Sequence, residues 1–195
     1  MLEFYYDFID KFVDRADFQL CEMDTDSLYL ALSARSLAEA VRPELRKDFY
    51  KVYAQWFPSE VCRKHRAVFI KTLGTSNPTC QACQATRLFD KRTPGLFKLE
   101  YEGDGIISLC SKTYHCFGAY DKTSTKGLTK HHNKLDKSHF QEGLDTNEAQ
   151  GGTNIGFKLQ GSSMYTYTQH RKSLSYFYIK RKVHGDNVTT SPLAI

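Results

Sequence analysis

The sequence contains no hydrophobic run of the length that a membrane span requires, no internal repeat and no segment of low complexity. A transmembrane helix takes about 20 consecutive apolar residues, so a membrane-embedded function is not predicted. The sequence therefore predicts a folded chain that lies outside the membrane.

A secretory signal peptide is also absent from the first residues, although the chain has 6 cysteines. Disulfide frameworks are typical of secreted domains that carry such a leader. We therefore expect an intracellular protein, with cysteines that are reduced or bound to a metal.

Composition and charge leave room for one sizeable core or two small ones. The chain has 195 residues, of which 41% are hydrophobic and 25% are charged, values that are ordinary for folded proteins. The net charge of +5 is unevenly distributed: acidic residues crowd the start, and basic residues concentrate at 91–137 and 171–182. A basic second half favours a polyanionic partner such as nucleic acid.

The most informative stretch is Phe18 to Leu32, where two short apolar runs flank Asp24-Thr25-Asp26-Ser27. This pattern predicts two antiparallel strands joined at an acidic turn. On extended backbone Asp24 and Asp26 project to the same side, and carboxylate oxygens are ligands that Mg²⁺ prefers. The pair predicts a metal site for phosphoryl or nucleotidyl transfer. Two alternatives stay open: a solvated Asp-rich turn and the Asp-x-Asp of a metal-dependent glycosyltransferase.

A second candidate site combines a C-x2-H pair with a C-x2-C pair fourteen residues later. Its members are Cys62, His65, Cys80 and Cys83. Two short-spaced ligand pairs separated by a loop are typical of structural zinc sites, and the segment 72–78 can make the intervening turn. The alternative is a chance spacing of residues that pack in the core, as free cysteines often do.

Hydrophobic periodicity predicts helices in the first half of the chain. Residues 1–15 form an amphipathic helix, and its apolar stripe consists of Leu2, Tyr5, Phe8, Ile9 and Phe12. Ser36 is a candidate N-cap for a short helix. Pro43 opens a further helix that continues to Trp56.

The second half is predicted to be richer in strands, with a short helix at 137–142 and a flexible loop at 143–156. The predicted strands are Leu96–Glu102, Ile106–Ser111, Ile155–Leu159, Ser163–Gln169, Leu174–Val183 and a terminal segment Val188–Ile195.

The segment Asp24-Thr25-Asp26-Ser27-Leu28-Tyr29 resembles the third palm motif, motif C, of family B DNA polymerases. This resemblance implies that Asp24 and Asp26 are catalytic and bind Mg²⁺ in a two-metal site. The family usually has a tyrosine two residues before the first aspartate, where this chain has Glu22.

A second match is Lys112-Thr113-Tyr114, which is similar to the Lys-x-Tyr motif that follows motif C in this family. There the lysine and the tyrosine hold phosphates of the primer strand, contacts that these side chains are suited to make. The alternative is a surface lysine beside a core tyrosine. The segment 120–135 resembles the Lys-Gly stretch that leads into the thumb, which implies further DNA contacts by Lys122, Lys126 and Lys130.

The order of these motifs, with the linking segment Asp90–Leu96, resembles the C-terminal palm and thumb of the protein-primed branch of family B. Large self-synthesising eukaryotic DNA transposons and adenovirus-like elements encode such polymerases. The resemblance implies an α+β fold. Residues 1–120 would form part of the palm, antiparallel strands with flanking helices, with a Cys/His-containing insertion at 57–95. Residues 121–195 would form a β-rich, thumb-like region.

The implied function is template-directed DNA synthesis with two divalent metals, in the nucleus. Its partners would be primer–template DNA, deoxynucleoside triphosphates and a protein primer. The first two palm motifs, which supply another metal-binding aspartate and a triphosphate-binding lysine, are not found, so the isolated chain is expected to be inactive. The alternative is a zinc-stabilised nucleic-acid-binding module without catalysis. A glycosyltransferase is disfavoured because no Gly-rich strand–helix unit is present.

Overall fold

The chain divides into two compact units, Met1–Glu102 and Gly103–Ile195. A computed structural model describes residues 1–75, 80–176 and 181–192. Helices and antiparallel strands are both present, which confirms the predicted α+β class. The predicted division after residue 120 falls inside the second unit, between two strands of one sheet; the assignment of palm and thumb stays a prediction.

The first unit starts with the predicted amphipathic helix. A π-helical stretch, Phe4–Ile9, continues as helix α1 (Asp10–Phe12). Leu2, which the pattern placed on the buried stripe, is 62% exposed, whereas Phe4 is only 4% exposed. The wider turn of a π-helix, with its i→i+5 hydrogen bonds, shifts which residues face the core.

The remaining elements of the first unit are a hairpin followed by helices. In chain order they are β1 (Phe18–Asp24), β2 (Ser27–Leu32), α2 (Leu37–Ala40), α3 (Arg46–Trp56), α4 (Arg66–Lys71) and α5 (Gln81–Asp90). The hydroxyl of Ser36 accepts a hydrogen bond from the Glu39 N–H at 3.3 Å and caps α2. Pro43 begins a 3₁₀ turn that leads into α3. Both observations agree with the sequence-based predictions.

The core of the first unit is built mainly from aromatic rings. Phe8 is 1% exposed, and its ring centroid lies 5.2–5.6 Å from those of Phe4, Phe12, Phe49 and Trp56. Rings at such separations attract each other through their quadrupoles in addition to burying apolar area. The initial helix and α3 are therefore joined through one aromatic cluster.

The second unit is built around a three-stranded sheet, a helix and a long two-stranded ribbon. Its elements are β3 (Gly105–Cys110), β4 (Thr113–Phe117), β5 (Lys122–Ser124), α6 (Lys137–Asp145), β6 (Gln150–Gln160), β7 (Ser163–Leu174), β8 (Arg181–Val183) and β9 (Thr190–Pro192). The strand orders are β3-β4-β5, β6-β7 and β8-β9, all antiparallel. Phe140 of α6 and Leu174 are fully buried in its core.

Two predictions from the sequence are wrong. Leu96–Glu102, at the end of the first unit, is not a strand, since it pairs with no strand among the described residues, and Leu99 is 80% exposed. The segment 143–156 is not a loop: α6 extends to Asp145 and β6 begins at Gln150. The Gly-rich sequence of this segment has no strand pattern of its own. Pairing with β7 gives its backbone N–H and C=O groups their hydrogen-bond partners.

Some predicted strands are only partly described. The helix predicted at 137–142 is present as α6. Of the predicted strand Leu174–Val183, the structure shows the end of β7 and all of β8, and residues 177–180 lie outside the described part. Of the terminal segment it shows β9, and residues 193–195 lie outside the described part. Among the described residues, no helix has the length and apolar character to cross a membrane.

Candidate functional site

The four Cys/His side chains of the predicted zinc site come together in the first unit, and we call them the Cys/His cluster. Cys62 precedes a 3₁₀ turn, Arg63–His65, which brings His65 back toward the cysteine. Cys80 is the N-cap of α5 and its sulfur accepts from the Cys83 N–H at 3.3 Å. Each short-spaced pair is thus shaped by its own local turn. Residues 76–79 of the predicted intervening turn lie outside the described part.

The ligand atoms of the cluster all lie within 4.8 Å of one another. Nδ1 of His65 is 3.5 Å from Sγ of Cys62, 3.6 Å from Sγ of Cys80 and 3.2 Å from Sγ of Cys83. The sulfurs of Cys80 and Cys83 are 3.3 Å apart, and those of Cys62 and Cys80 are 3.9 Å apart. The three thiols are free rather than disulfide-bonded.

Hydrogen bonds to sulfur favour ionisation of one thiol of the cluster. Burial opposes ionisation of Cys62, but hydrogen bonds from the Cys83 side chain and from the backbone N–H groups of His65 and Lys64 outweigh it and lower the pKa of Cys62 to about 7. Burial raises the pKa of Cys83. Because the thiolate is the form that binds metals, Cys62 is prepared for that role.

The surroundings of the cluster hold its two halves in place. Val61, Cys62, Phe69 and Cys83 form a small buried core. Hydrogen bonds also join α5 to the segment before the cluster. The Ser59 N–H donates to the Asp90 carboxylate at 2.9 Å. Arg87 donates to the Glu60 carbonyl at 2.6 Å.

The turn after α4 packs closely against Tyr50 of α3. Gly74 has a φ of 77°, and a Cβ at this position would lie 2.5 Å from the ring of Tyr50, so a larger residue does not fit. This rigid and closely spaced donor set could bind a metal ion such as zinc.

The acidic hairpin forms as predicted, with Asp24 pairing with Ser27 across a two-residue loop. Asp24 is half-buried and Asp26 is exposed. Thr25 has a φ of 48°, so the backbone is not extended there and the expectation that both aspartates project to one side does not apply. The Asp26 N–H instead donates to the Asp24 carbonyl at 2.5 Å.

Glu22 occupies the position at which the family B polymerase motif usually has a tyrosine. It is 8% exposed and lies two residues before Asp24 in β1, so the two carboxylates share a strand face. A buried carboxylate is costly unless other groups compensate for it. Residue pattern alone does not indicate this burial, since a lone glutamate on a strand is usually solvated.

Among the described residues, no group of three or more metal-ligating side chains forms at the acidic hairpin. Across the described ranges, the Cys/His cluster is the one group of three or more His, Cys, Asp or Glu side chains that could share an ion.

Lys112 and Tyr114 lie in the second unit. Lys112 occupies the two-residue turn between β3 and β4, with a φ of 66°, and is exposed. Its carbonyl accepts from the Ser124 hydroxyl at 3.0 Å. Tyr114 follows on β4 and is half-buried. The lysine is thus presented by a turn, and only Tyr114 of the motif's two named side chains lies on a strand.

The other predicted DNA contacts follow along the second unit. Lys122 lies in β5 and is half-buried, whereas Lys126 and Lys130 are exposed in the segment after it. Gly127 between them has a φ of 88°, and a Cβ there would lie 2.9 Å from the Ser173 hydroxyl. This close approach brings the lysine-rich segment against the end of β7.

Sequence reasoning missed a buried histidine beside the Lys-x-Tyr motif. His115 is 1% exposed; its Nδ1 lies 2.9 Å from the Thr123 hydroxyl and its Nε2 lies 3.5 Å from Asp121. Its ring packs against Phe140 at 5.5 Å between centroids. Alternation along β4 could have indicated its burial, but not its partners, which come from β5 and α6.

No protein-family model, curated protein or solved structure matches this chain.

Proposed function

We propose that this chain is the part of a family B DNA polymerase that carries the third palm motif and the thumb, and that Asp24 and Asp26 bind catalytic Mg²⁺. The observation that carries this proposal is the β1–β2 hairpin, which holds an Asp-Thr-Asp segment at its tip. Nucleotidyl transfer by two metals needs carboxylates fixed on rigid elements, so that the ions can clamp the attacking and leaving oxygens.

The second unit supplies features that suit a DNA substrate. Lys112 is exposed in a turn, with Tyr114 two residues further on. A lysine can neutralise a backbone phosphate, and a tyrosine hydroxyl can donate to one. Primer–template DNA, deoxynucleoside triphosphates and a protein primer are the partners that this function requires.

The test is primer extension by the longest polypeptide encoded at the locus of this chain, with Mg²⁺ or Mn²⁺. An upstream frame with an Asp-x-x-Ser-Leu-Tyr-Pro-like segment is expected to supply the first palm motif. Asp26→Asn should abolish nucleotide incorporation and leave primer–template binding nearly unchanged. The exposed Asp7 gives the matched control Asp7→Asn, which should retain activity. Wild-type incorporation by the Asp26→Asn variant would refute the assignment.

A second candidate function is a zinc-stabilised nucleic-acid-binding module without catalysis, and the Cys/His cluster favours it. Ligands of a tetrahedral zinc, at about 2.3 Å for sulfur and 2.0–2.1 Å for nitrogen, are separated by roughly 3.5–3.8 Å. Five of the six ligand–ligand distances in the cluster are 3.2–3.9 Å, close to this spacing, and all six are within 4.8 Å. Cys62, Cys80, Cys83 and Nδ1 of His65 would hold the ion, which would stabilise the fold.

Elemental analysis of the purified chain tests the zinc proposal. About one equivalent of zinc is expected in the wild type and less than a tenth in Cys83→Ser. Cys110→Ser, which changes a half-buried cysteine outside the cluster, should keep the metal. Zinc-free wild-type protein that also fails to bind added zinc would refute this proposal and leave the polymerase proposal untouched.

A further inference from the structure

The β6–β7 ribbon combines basic charge with exposed aromatic side chains. From Gln150 to Leu174 the sequence has no aspartate or glutamate, and it carries Lys158, His170, Arg171 and Lys172. The two strands pair with each other and with no third strand in the described residues. The ribbon therefore carries only positive formal charge, which would favour an anionic partner.

The strand register divides the ribbon into two different faces. Lys158 is directly opposite Tyr165, and Gly156 is directly opposite Tyr167, so these residues share one face together with Arg171. We call it the tyrosine face. The other face carries Phe157, Leu159 and Met164, which are 67–73% exposed and uncharged. The other face also carries His170 and Lys172, but its phenylalanine lies opposite Thr166, whereas the tyrosine face sets a lysine directly beside a ring.

The tyrosine rings are placed where a flat ligand can reach them. Tyr165 is 49% exposed. Tyr167 lies across Gly156, since a Cβ there would be 2.7 Å from Cζ and Oη of the tyrosine. The missing side chain lets that ring rest against the ribbon backbone. Alternate residues of a strand are about 6.8 Å apart, so the two rings form a short row.

A hydrogen bond fixes the cation beyond the rings. With its side-chain amide oriented to satisfy both groups, Gln169 accepts from Nε of Arg171 and from Nη2 at 2.8 Å. Lys158 lies directly beside Tyr165 on the neighbouring strand. Along β7 the face therefore carries Tyr165 with Lys158 beside it, then Tyr167, then Gln169 and Arg171.

We propose that the tyrosine face binds single-stranded DNA, with bases stacked on Tyr165 and Tyr167 and phosphates near Lys158 and Arg171. Surfaces that pair a basic track with aromatic rings bind single strands without sequence preference, because every base has a π-face. A duplex hides those base faces and would use the positive charges alone. That DNA is the ligand rests on the proposed function; the choice of a single strand rests on this face.

Fluorescence anisotropy of the purified chain with a labelled oligothymidylate and with a duplex of equal length tests the inference. Tyr165→Ala should weaken single-strand binding about 5- to 150-fold and change duplex binding by less than about twofold, because phosphate contacts are kept. Tyr165→Phe should retain binding, since the ring is preserved. Gly156→Ala, which displaces the Tyr167 ring, should weaken single-strand binding as well.

Phe157→Ala is the matched control, because Phe157 is an exposed ring at the same end of the ribbon but on the opposite face. It should leave both affinities unchanged. Equal losses for single strand and duplex, an unchanged affinity in Tyr165→Ala, or a loss in Phe157→Ala equal to that in Tyr165→Ala would overturn the inference. Absence of any single-strand binding by the wild type would overturn it too.

Single-strand binding by the tyrosine face and polymerase activity are refuted by different experimental outcomes. Asp26→Asn should bind the single strand as tightly as the wild type, because Asp26 belongs to the first unit. If the longer polypeptide does not extend primers while tyrosine-dependent single-strand binding persists, the polymerase proposal fails and this inference is supported.

Discussion

Lys112 is the residue whose proposed role depends most directly on its position in a turn. Lys112 is exposed in the turn between β3 and β4. Its positive φ is unusual for a residue other than glycine. The backbone conformation thus presents the ammonium group where a phosphate can approach.

Lys112→Ala should weaken primer–template binding for all sequences alike and lower the slope of log affinity against log salt by about one. The reason is that one phosphate contact, and the counterion release that goes with it, is lost. Titrations at several salt concentrations measure this slope. Lys71→Ala, an exposed lysine of the first unit, is the control. A changed sequence preference in Lys112→Ala would contradict a role in phosphate contact.

Phe8 has the same residue-scale importance for stability. It is fully buried among aromatic rings, so Phe8→Ala should lower the free energy of unfolding by about 3–5 kcal/mol. Tyr6→Ala removes a ring that is 62% exposed and should cost far less. Urea denaturation of both variants measures the difference, and equal losses would show that the aromatic cluster is not the core.

At the scale of elements, α6 carries a capping box formed by Asp136 and His139. Hydrogen bonds from the Ser138 side chain and from His139 hold the pKa of Asp136 well below its usual range. A carboxyl with a lowered folded-state pKa stabilises the fold above its ordinary pKa of 3.8 and loses that contribution as the pH falls toward the folded-state value.

Asp136→Ala should therefore melt at a lower temperature than the wild type at pH 6, and the gap should narrow as the pH drops below about 4. Asp136→Asn keeps a capping side chain and should melt closer to the wild type at neutral pH. Thermal denaturation across this pH range checks both variants. A difference in melting temperature that grows as the pH falls would contradict this stabilising role of the Asp136 carboxylate.

The Cys/His cluster joins two elements that the chain keeps apart, the turn before α4 and the start of α5. Zinc present at 1,000 times its dissociation constant would stabilise the folded chain by about 4 kcal/mol. Chelation should therefore lower the melting temperature of the first unit, while hydrogen exchange in β3–β5 should be unaffected. Cys83→Ser, which lacks a ligand, should show no further loss on chelation. A first unit indifferent to chelation would contradict a structural metal.

At the scale of the whole molecule, the acidic hairpin would supply carboxylates to only one side of the two-metal site proposed for the polymerase. Two-metal catalysis needs ligands around both ions, and the described residues bring no third acidic group into range of this pair. A triphosphate-binding lysine of the kind that the family's second motif supplies is also not recognised in the sequence. Charge that develops on the leaving phosphates would have no fixed partner.

The purified 195-residue chain should therefore not extend a primer with Mg²⁺ or Mn²⁺, even in an assay that detects rates many orders of magnitude below that of a competent polymerase. It should nonetheless bind DNA. A gel-based extension assay with labelled primer measures this. Template-dependent extension that Asp26→Asn abolishes would contradict the prediction and would mean that other residues of the chain complete the site.

The sequence by itself determined the features whose causes are local. The acidic turn, the Ser36 cap, the start of the α3 region at Pro43 and the two short-spaced ligand pairs all follow from residues within a few positions of one another. Caps, turns and ligand spacings involve little more than their own backbone. Prediction from pattern succeeded there for that reason.

Only the tertiary structure decided the features that depend on a distant partner. Gly151 and Gly152 are in a strand because β7 pairs with them, whereas Leu96–Glu102 has strand-like residues and pairs with no strand among the described residues. Glu22 and His115 are buried by elements that lie elsewhere in the sequence. The row formed by Tyr165 and Tyr167 opposite Lys158 and Gly156 exists only in this register, since a slip of one residue would place them on opposite faces.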